Sequence, residues 1–309
     1  MKILFFGCDD FAAVSLRRLL EAGHKVVGLV TQPDRPRGRG LHVEYSATKE
    51  LALKAGLEVF QPDTLKDQSV VARLRDFGAD LFVVIAYGKL LPADILALPG
   101  YSCINVHASL LPRYRGAAPV NWAVINGETE TGVTIIRLNI AMDGGDILSQ
   151  AVCAIPLDMT TAELRPRLAA LGADLLVDTI PRISAGTVTP KKQDEDQVSK
   201  APKMHKDLGH IRWTESARSI HDLVRGTQPW PGAFTFWRGK RLKVLDACAA
   251  SALVQGQPGE IVELHKDGFL VQAGDGAVLV RQVHPESSRP MDARAFLAGH
   301  KLSLGEVLG

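Results

Sequence analysis

The first half of the chain alternates short apolar runs with segments of helical periodicity. The runs lie at residues 2–7, 25–31, 57–62, 80–88 and 103–109. They are almost continuously apolar, and a strand of that composition is buried on both faces of its sheet. Between the first two runs, Ala12, Leu16 and Leu19 recur at the spacing of a helix face. This order predicts an α/β domain that is Rossmann-like, with a mostly parallel sheet.

After residue 130 the pattern changes to two more strand-like runs and one long helix. The helix is predicted from about Thr160, because Thr160 and Glu163 have the spacing of a capping box. Pro166 and Pro181 fall inside its pattern, and proline interrupts helical hydrogen bonding. We therefore expect the two prolines to limit or kink this helix.

Residues 187–212 are polar, carry charges of both signs and show little periodicity, which is typical of a connection between domains. Beyond them, one short amphipathic helix is followed by several short strands at close spacing, separated by glycine-rich turns. Such strands predict a small barrel. We therefore expect an N-terminal domain over residues 1–189, a linker over residues 190–208, and a smaller C-terminal OB-like β-barrel domain over residues 209–309.

The composition indicates the class of protein but not its function. The chain has 309 residues, 46% of them hydrophobic and 23% charged, with a formal net charge of +2, which predicts a globular protein of about two domains. No block of like charges resembles a disordered nucleic-acid-binding tail, so local patches would have to meet any polyanion. The four cysteines lack metal-ligand or disulfide spacing, which argues against a metal and favours a reducing, cytoplasmic setting.

Signals for targeting or assembly do not stand out in the sequence. The N-terminal apolar run is too short for a signal peptide, and no window approaches the length of a membrane span, so no membrane association is expected. No exposed heptad or apolar stripe is evident, which predicts a monomer. The loop after the first strand, GCDDFA, has only Gly7 of the three glycines of a dinucleotide fingerprint, so bound NAD is not predicted.

Two hydrogen-bonding side chains, Asn105 and His107, lie inside the apolar run at residues 103–109. Residues two apart on a strand point to the same side, so the amide and the imidazole can converge on one reacting atom at the carboxyl end of the strand. Further along, two glycines separate Asp143 from Asp146, and the sharp turn they permit can bring one carboxylate near the imidazole. The pattern predicts a site of amide, imidazole and carboxylate.

These three groups suit the transfer of an acyl group to an amine. The amine loses a proton as it attacks, and the carbonyl oxygen becomes an oxyanion that the amide and a protonated imidazole can stabilise. One oxyanion donor is typically worth ~10²–10³ in rate, and proton transfer ~10²–10⁴. Direct transfer is favoured over a covalent serine mechanism, since Ser109 has no adjacent base in sequence. On spacing alone, a core Asn–His pair satisfied by backbone groups is an equally good interpretation.

The loop QPDRPRGRG at residues 32–40 brings together Arg35, Arg37 and Arg39. Guanidinium groups beside exposed backbone amides suit phosphate, so a nucleic-acid backbone or another anion can dock there. Without further context, a solvated loop is the slightly favoured interpretation. A second basic and aromatic cluster at residues 236–243 can track a single strand or an RNA end on the predicted barrel.

Taken together, several stretches resemble the methionyl-tRNA formyltransferases, a branch of the folate-dependent formyltransferases. The likeness runs nearly end to end, through GHKVVGLVTQPDRPRGRG, VVIAYGKLLP, CINVHASLLPRYRGAAPVNWAVINGETETGVTI, MDGGDIL, PWPGAF and GHKLSLGEVLG. The SLLPRYRGAAP block and the Asp-x-Gly-Asp loop are shared by folate-dependent formyltransferases generally. The QPDRPRGRG loop and the C-terminal barrel favour the tRNA-directed branch.

The resemblance implies a role for individual residues. Asn105, His107 and Asp143 match the family's catalytic asparagine, histidine and aspartate. Arg39 matches an arginine in a loop that engages the acceptor end of the initiator tRNA, and Arg35 and Arg37 lie in the same loop. The family's folate-binding positions correspond to Ser109, Leu110, Leu111, Pro112, Ala86, Tyr87 and Gly88.

The activity that the resemblance implies is formyl transfer. The donor would be 10-formyltetrahydrofolate, the acceptor the α-amino group of initiator methionyl-tRNA, and no metal would take part. The barrel would contact the same tRNA through basic residues. The nearest alternative is a sugar-nucleotide N-formyltransferase with the same catalytic half, against which the RGRG loop and the long C-terminal domain weigh. A non-catalytic RNA-binding module that kept the fold is a third possibility.

The chain departs from the family pattern at two places. Residues 7–11 read Gly-Cys-Asp-Asp-Phe, where the family usually has Gly-Thr-Pro-Asp-Phe. Residues 41–50 read LHVEYSATKE, where the family usually has a lysine pair and prolines. The second departure removes positive charge from the expected tRNA loop.

Replacing Arg39 with leucine is expected to weaken the use of tRNA far more than the use of folate, because a loop arginine would meet phosphate or the acceptor end. The measurement is kcat/KM for each substrate with the other held at saturation. An equal loss for both substrates would count against the assignment of Arg39 to tRNA.

Overall fold

The computed structural model describes residues 1–34, 36–37, 42–250 and 255–309. Its strands are Lys2–Gly7 (β1), Lys25–Val30 (β2), Pro36–Arg37 (β3), His42–Val43 (β4), Val59–Phe60 (β5), Leu81–Ile85 (β6), Ser102–His107 (β7), Arg115–Gly116 (β8), Glu130–Arg137 (β9), Ile147–Ala154 (β10), Lys200–Ala201 (β11), Phe234–Trp237 (β12), Lys240–Ala250 (β13), Ile261–His265 (β14), Gly268–Gln272 (β15), Ala277–Pro285 (β16) and Met291–Asp292 (β17). Its α-helices are Asp10–Glu21 (α1), Ala47–Lys54 (α2), Gln68–Asp76 (α3), Ala93–Leu96 (α4), Pro119–Ile125 (α5), Thr161–Ser184 (α6), Ala217–Gly226 (α7) and Ala293–His300 (α8).

The chain forms two compact units, and neither unit is one continuous segment. Unit 1 comprises Met1–Gly116, Thr131–Ala154 and Arg165–Ala201, and unit 2 comprises Ala117–Glu130, Ile155–Leu164 and Pro202–Gly309. Two segments from the first 164 residues therefore pack with the C-terminal part of the chain. The domain limits drawn from the sequence stay a prediction.

One sheet of seven strands organises unit 1, in the order β10–β9–β7–β6–β1–β2–β5. The pairings from β7 through β5 are parallel, and β9 joins β7 antiparallel. On the interior strand β1, the side chains of residues 3–6 are 0% exposed, which is why this run is continuously apolar. The Rossmann-like, mostly parallel sheet is confirmed.

The strand order reverses beside β1. The chain first adds β2 and β5 on one side of β1 and then crosses to β6 and β7 on the other. Ligands of open α/β sheets bind at the carboxyl ends of the strands where the order reverses. Since β6 and β7 are parallel, the end of β7 at His107 lies at this same edge.

The capping box predicted for α6 is confirmed. Glu163 Oε2 accepts the Thr160 backbone N–H at 2.8 Å, and Thr160 Oγ1 accepts the Glu163 backbone N–H at 3.3 Å. The helix then runs through Pro166 and Pro181 to Ser184, so neither proline ends it. An interior proline costs ~3 kcal/mol or more, but one buried leucine contributes ~1.5–3 kcal/mol and this helix buries several. Its buried apolar residues are Leu164, Leu168, Ala169, Ala173, Leu176 and Ile180.

None of the helices in the described ranges has the length and apolar character needed to cross a membrane. Gly56 lies just beyond the end of helix α2 at a φ of +68°. That left-handed backbone favours glycine.

Unit 2 contains an antiparallel sheet in the order β12–β13–β16–β15–β14, with β17 added to β16. This order leaves β12 and β14 as edges, and the C-terminal segment bonds to both. Ile261 of β14 donates to the Glu306 carbonyl at 2.8 Å, and Gly309 donates to the Phe236 carbonyl of β12 at 3.0 Å. Leu308, between those contacts, is 2% exposed in the core of the unit. The tail thus closes the sheet into a barrel, and the predicted small C-terminal barrel is confirmed.

A buried charge network fixes α7 within unit 2. Asp222 accepts hydrogen bonds from Arg218 Nε at 2.8 Å and from Arg225 Nε at 2.7 Å, while Arg225 Nη1 donates to the Met159 carbonyl at 3.0 Å. Burial alone would raise the pKa of Asp222, but hydrogen bonds from His221 and the two arginines outweigh it and hold that pKa below its ordinary value. The network ties the segment before α6 to the C-terminal unit.

Leu308→Ala is expected to lower the free energy of unfolding by about 2–5 kcal/mol, because it leaves a cavity under the segment that closes the barrel. Urea denaturation followed by tryptophan fluorescence measures this loss. Leu304→Ala is the matched control, since Leu304 is 60% exposed in the same tail and its truncation should cost less than about 0.5 kcal/mol. Equal losses would show that the tail does not belong to the core.

Candidate active site

Strand β7 presents Asn105 and His107 on one side. The strand pairs with β9, which places Asn105 opposite Ile136 and His107 opposite Thr134. Asn105 is half-buried, and its side-chain amide has no hydrogen-bond partner among the residues that the structure describes. His107 is only 6% exposed. The amide is therefore available to a ligand, whereas the imidazole is held inside the protein.

Both ring nitrogens of His107 face acceptors. Nε2 lies 2.9 Å from the Tyr114 carbonyl oxygen, and because a carbonyl only accepts, Nε2 carries a hydrogen. Nδ1 lies 3.7 Å from Asp143 Oδ1, which is an ion-pair distance rather than a hydrogen bond. The Asp143 carboxylate therefore faces the Nδ1 side of the ring.

Asp143 is held in an uncommon backbone conformation. Its φ is +52°, in the left-handed region that glycine favours, and its Oδ2 accepts the Gly116 backbone N–H at 2.9 Å. Gly145 is required by space, since a Cβ there would lie 1.6 Å from the Arg137 carbonyl oxygen. The turn predicted around the two glycines thus brings the Asp143 carboxylate, rather than that of Asp146, to the imidazole.

The SLLP segment is anchored from beneath by Thr134. The Thr134 hydroxyl donates to the Ser109 carbonyl at 2.6 Å and accepts the Leu111 N–H at 3.0 Å. Gln150 Nε2 donates to the Leu111 carbonyl at 2.9 Å and to Thr134 Oγ1 at 3.0 Å. Ser109 and Leu111 are buried, and Leu110 and Pro112 are half-buried. Only Leu110 and Pro112 therefore present side-chain surface to a ligand.

The loop after β6 exposes Ala86 and Gly88 and buries Tyr87. The Tyr87 ring packs edge-on against Phe6 with ring centres 5.5 Å apart, and burial raises the pKa of its phenol well above the ordinary value. The Tyr87 carbonyl already accepts from Gln32 Nε2 at 2.7 Å. Contacts to a ligand from this loop would come from the backbone at residues 86 and 88.

The predicted arginine loop is only partly described. Arg35 and Arg39 lie outside the described residues, and for Arg37 the structure gives only its backbone, in β3 paired with β4. At the start of the loop, Asp34 bonds to the Lys49 ammonium and accepts from Gln61 Nε2 at 3.1 Å. Burial would raise the pKa of Asp34, but these hydrogen bonds outweigh it and lower that pKa.

Sequence reasoning missed Thr134 and Gln150. A polar Thr134 within the apolar run TGVTIIRL was the available signal, because a buried hydroxyl requires a partner. Gln150 gave no such signal, since it lies on an edge strand where polar residues are ordinary. Across the described ranges, no group of three or more His, Cys, Asp or Glu side chains is placed to hold a metal ion.

An Asn–His–Asp arrangement at the carboxyl edge of a mostly parallel α/β sheet, together with an antiparallel barrel, defines the class of protein. The family described as Formyl transferase matches residues 1–180, and the one described as Formyl transferase, C-terminal domain, matches residues 203–301. The chain belongs to the formyl transferase family.

The most specific likenesses are to proteins named methionyl-tRNA formyltransferase. The protein of that name from Caldanaerobacter subterraneus subsp. tengcongensis is 43% identical over 309 residues, which is 100% of each chain. The one from Moorella thermoacetica is 44% identical over 309 residues and covers 100% of this chain and 99% of its own. The similarity extends through both units.

Solved structures with lower identity share the fold. HypX from Aquifex aeolicus, in complex with tetrahydrofolic acid, has a TM-score of 0.65 at 18% identity, covering 99% of this chain and 48% of its own. The sugar 3N-formyl transferase WlaRD, in the presence of dTDP and 5-N-formyl-THF, has a TM-score of 0.69 at 17% identity, covering 93% and 98%.

Thr134→Val is expected to destabilise the protein by about 1–3 kcal/mol, because it leaves the buried Leu111 N–H without an acceptor. Urea denaturation measures the loss, and faster hydrogen exchange of the Leu111 amide localises it. Thr134→Ser keeps the hydroxyl and serves as the control. If the valine and serine variants behave alike, the hydroxyl does not anchor the segment.

Proposed function

We propose that the protein transfers a formyl group from 10-formyltetrahydrofolate to the α-amino group of initiator methionyl-tRNA. The observation that carries the proposal is the imidazole of His107, placed between the Tyr114 carbonyl and the Asp143 carboxylate beside the unpaired Asn105 amide. The full-length identity of 43% to a protein named methionyl-tRNA formyltransferase supports the choice of acceptor.

The reaction is a direct transfer through a tetrahedral intermediate. The amino nitrogen of the methionyl group attacks the formyl carbon, a C–N bond forms, and the formyl oxygen becomes an oxyanion. The Asn105 amide donates to that oxygen, and the positive charge of a protonated His107 ring stabilises it. The intermediate then collapses, the bond from the formyl carbon to N10 of the folate breaks, and N10 receives a proton while the attacking nitrogen loses one. Tetrahydrofolate and N-formylmethionyl-tRNA leave.

His107 and Asp143 act as a pair in this proposal. The Nε2 hydrogen is fixed on the Tyr114 carbonyl, so proton exchange takes place at Nδ1, on the side of Asp143. Asp143 Oδ2 is occupied by the Gly116 N–H, which leaves Oδ1 toward the ring. The carboxylate therefore sets the orientation of the imidazole and stabilises its charged form during the transfer.

The donor site uses backbone more than side chains. We assign the donor to the half-buried Leu110 and Pro112 and to the exposed Ala86 and Gly88, with Ser109, Leu111 and Tyr87 as buried supports. Apolar surface with a few backbone hydrogen-bonding groups suits a flat pterin. Two structural neighbours were crystallised with reduced folates, tetrahydrofolic acid and 5-N-formyl-THF, which supports a reduced folate as donor.

The acceptor would meet basic and aromatic groups. We assign Arg35, Arg37 and Arg39 to the tRNA on the strength of the sequence alone. On the barrel, the Arg241 guanidinium lies 3.5 Å from the centre of the Phe234 ring, and His210 stacks on the same ring at 5.2 Å. Such clusters suit nucleic acid. A monomeric, cytoplasmic enzyme stays our prediction.

A formyl-transfer assay with a panel of acceptors tests the proposal. Purified protein is given 10-formyltetrahydrofolate with charged initiator tRNA or with amino-sugar nucleotides. Turnover of the tRNA alone is expected. Turnover of the sugar nucleotide alone would establish the alternative acceptor, and the absence of tetrahydrofolate binding in a tryptophan-fluorescence titration would favour a non-catalytic RNA-binding module.

His107→Ala is expected to lower kcat by ~10²–10⁴, because it removes the group that transfers protons. Asn105→Ala is expected to lower kcat by ~10²–10³, because it removes an oxyanion donor. Asp143→Asn should lower kcat as well, since it removes the charge that faces Nδ1. Initial rates at saturating substrates measure the change, and circular dichroism confirms the fold. His265→Ala, in an exposed hairpin, should retain wild-type turnover. Near wild-type rates in folded His107→Ala or Asp143→Asn would overturn these roles.

A further inference from the structure

We propose that Gln193 is a positioning residue that holds the Asp143 carboxylate in its reactive place. The sequence assigns Gln193 to the connection between domains, yet its side chain lies in unit 1 against both loops that contact His107. The proposal rests on the proposed function, in which Asp143 is a catalytic group.

Each polar atom of the Gln193 side chain is used on these two loops. Nε2 donates to the Asp143 carbonyl and to the Gly145 carbonyl, both at 2.7 Å. Oε1 accepts from Arg115 Nε at 2.9 Å. An amide nitrogen has two hydrogens, so both donors are spent on the backbone at and just after Asp143. One side chain therefore links the carboxylate loop to the loop of Tyr114 and Gly116.

The Asp143 loop needs support from outside itself. Asp143 has a φ of +52°, a conformation that costs a non-glycine residue about 1–3 kcal/mol. Apolar burial does not supply that energy, because Ile140 is 78% exposed and Met142 is 57% exposed. Hydrogen bonds must therefore fix the loop, and Gln193 provides two of them at the residues whose backbone decides where the carboxylate points.

The chain after Gln193 supports the opposite side of the imidazole. Ser199 Oγ accepts the Tyr114 N–H at 2.9 Å, and the Ser199 carbonyl accepts the Arg115 N–H at 2.9 Å. Strand β11 then pairs with β8 in parallel. Tyr114 supplies the carbonyl that binds His107 Nε2. Gln193 and Ser199 thus hold the two groups that flank the ring, and of these two residues Gln193 is the one that bonds to the Asp143 loop.

Gln193→Met tests the hydrogen bonds while keeping the length of the side chain. We expect kcat to fall by ~10–100-fold, since a misplacement of about 1 Å at a reacting group costs on the order of 10² in rate. KM for folate and for tRNA should stay within about threefold, because the polar atoms of the Gln193 side chain bond to protein groups. Gln197→Met is the matched control. Gln197 is exposed, and within the described part of the chain its side-chain amide bonds only to Asp194, at 2.9 Å, so kcat should not change.

A double-mutant cycle separates positioning from a general structural role. Gln193→Met is combined with Asp143→Ala, and kcat is expressed per folate-binding site so that unfolded protein does not count. If Gln193 acts through Asp143, its substitution in the Asp143→Ala background should change kcat by less than about threefold. A multiplicative loss, or an unchanged kcat in the single variant, would overturn the proposal.

Hydrogen exchange tests whether Gln193 holds the Asp143 loop, and it requires no acceptor substrate. The backbone amides of residues 141–146 should exchange faster in Gln193→Met than in wild type or Gln197→Met, and equal exchange would overturn the proposal. Inactivity of the wild type toward methionyl-tRNA would instead overturn the proposed function, so the two failures are distinguishable.

Discussion

The burial of one imidazole between two acceptors is the constraint on which the site depends. His107 is 6% exposed at the end of an apolar strand, where an unsatisfied polar ring would cost free energy. The ring donates from Nε2 to the Tyr114 carbonyl, and its Nδ1 faces the Asp143 carboxylate. Tyr114 and Asp143 both lie in loops. Two loops must therefore pack against the end of β7 to supply the partners of His107.

In both loops the residue that contacts His107 has a left-handed backbone conformation. Tyr114 has a φ of +63° and Asp143 a φ of +52°, and non-glycine residues in this region must be stabilised by their surroundings. The support comes from residues that take no part in the proposed reaction. Thr134 and Gln150 hold the start of the first loop, and the chain from Gln193 to Ala201 holds the end of that loop and the Asp143 turn. The regular sheet and the connecting segment thus stabilise a strained but defined site.

In unit 2 the constraint comes from the edges of the sheet. Strands β12 and β14 are these edges, and an open edge exposes unpaired backbone groups. The C-terminal segment pairs with Ile261 on one edge and Phe236 on the other, and it buries Leu308 in the core. Helix α5 and the first residue of α6 join this unit through the side chains of Asn121 and Thr161, which both donate to the Gly226 carbonyl.

The sequence by itself determined the sheet, the capping box of α6, the barrel and the residues at the end of β7. Each of these depends on local periodicity or on short spacings, which chain chemistry fixes before any long-range contact forms. Tertiary structure decided that Asp143 rather than Asp146 faces the ring, that α6 passes both prolines, and that the Gln193 amide bonds to the Asp143 backbone. Gln193 lies 50 residues from Asp143 along the chain, and no local pattern encodes which backbone carbonyls its amide will meet. That pairing follows only from packing, because a long-range hydrogen bond has no period in the sequence.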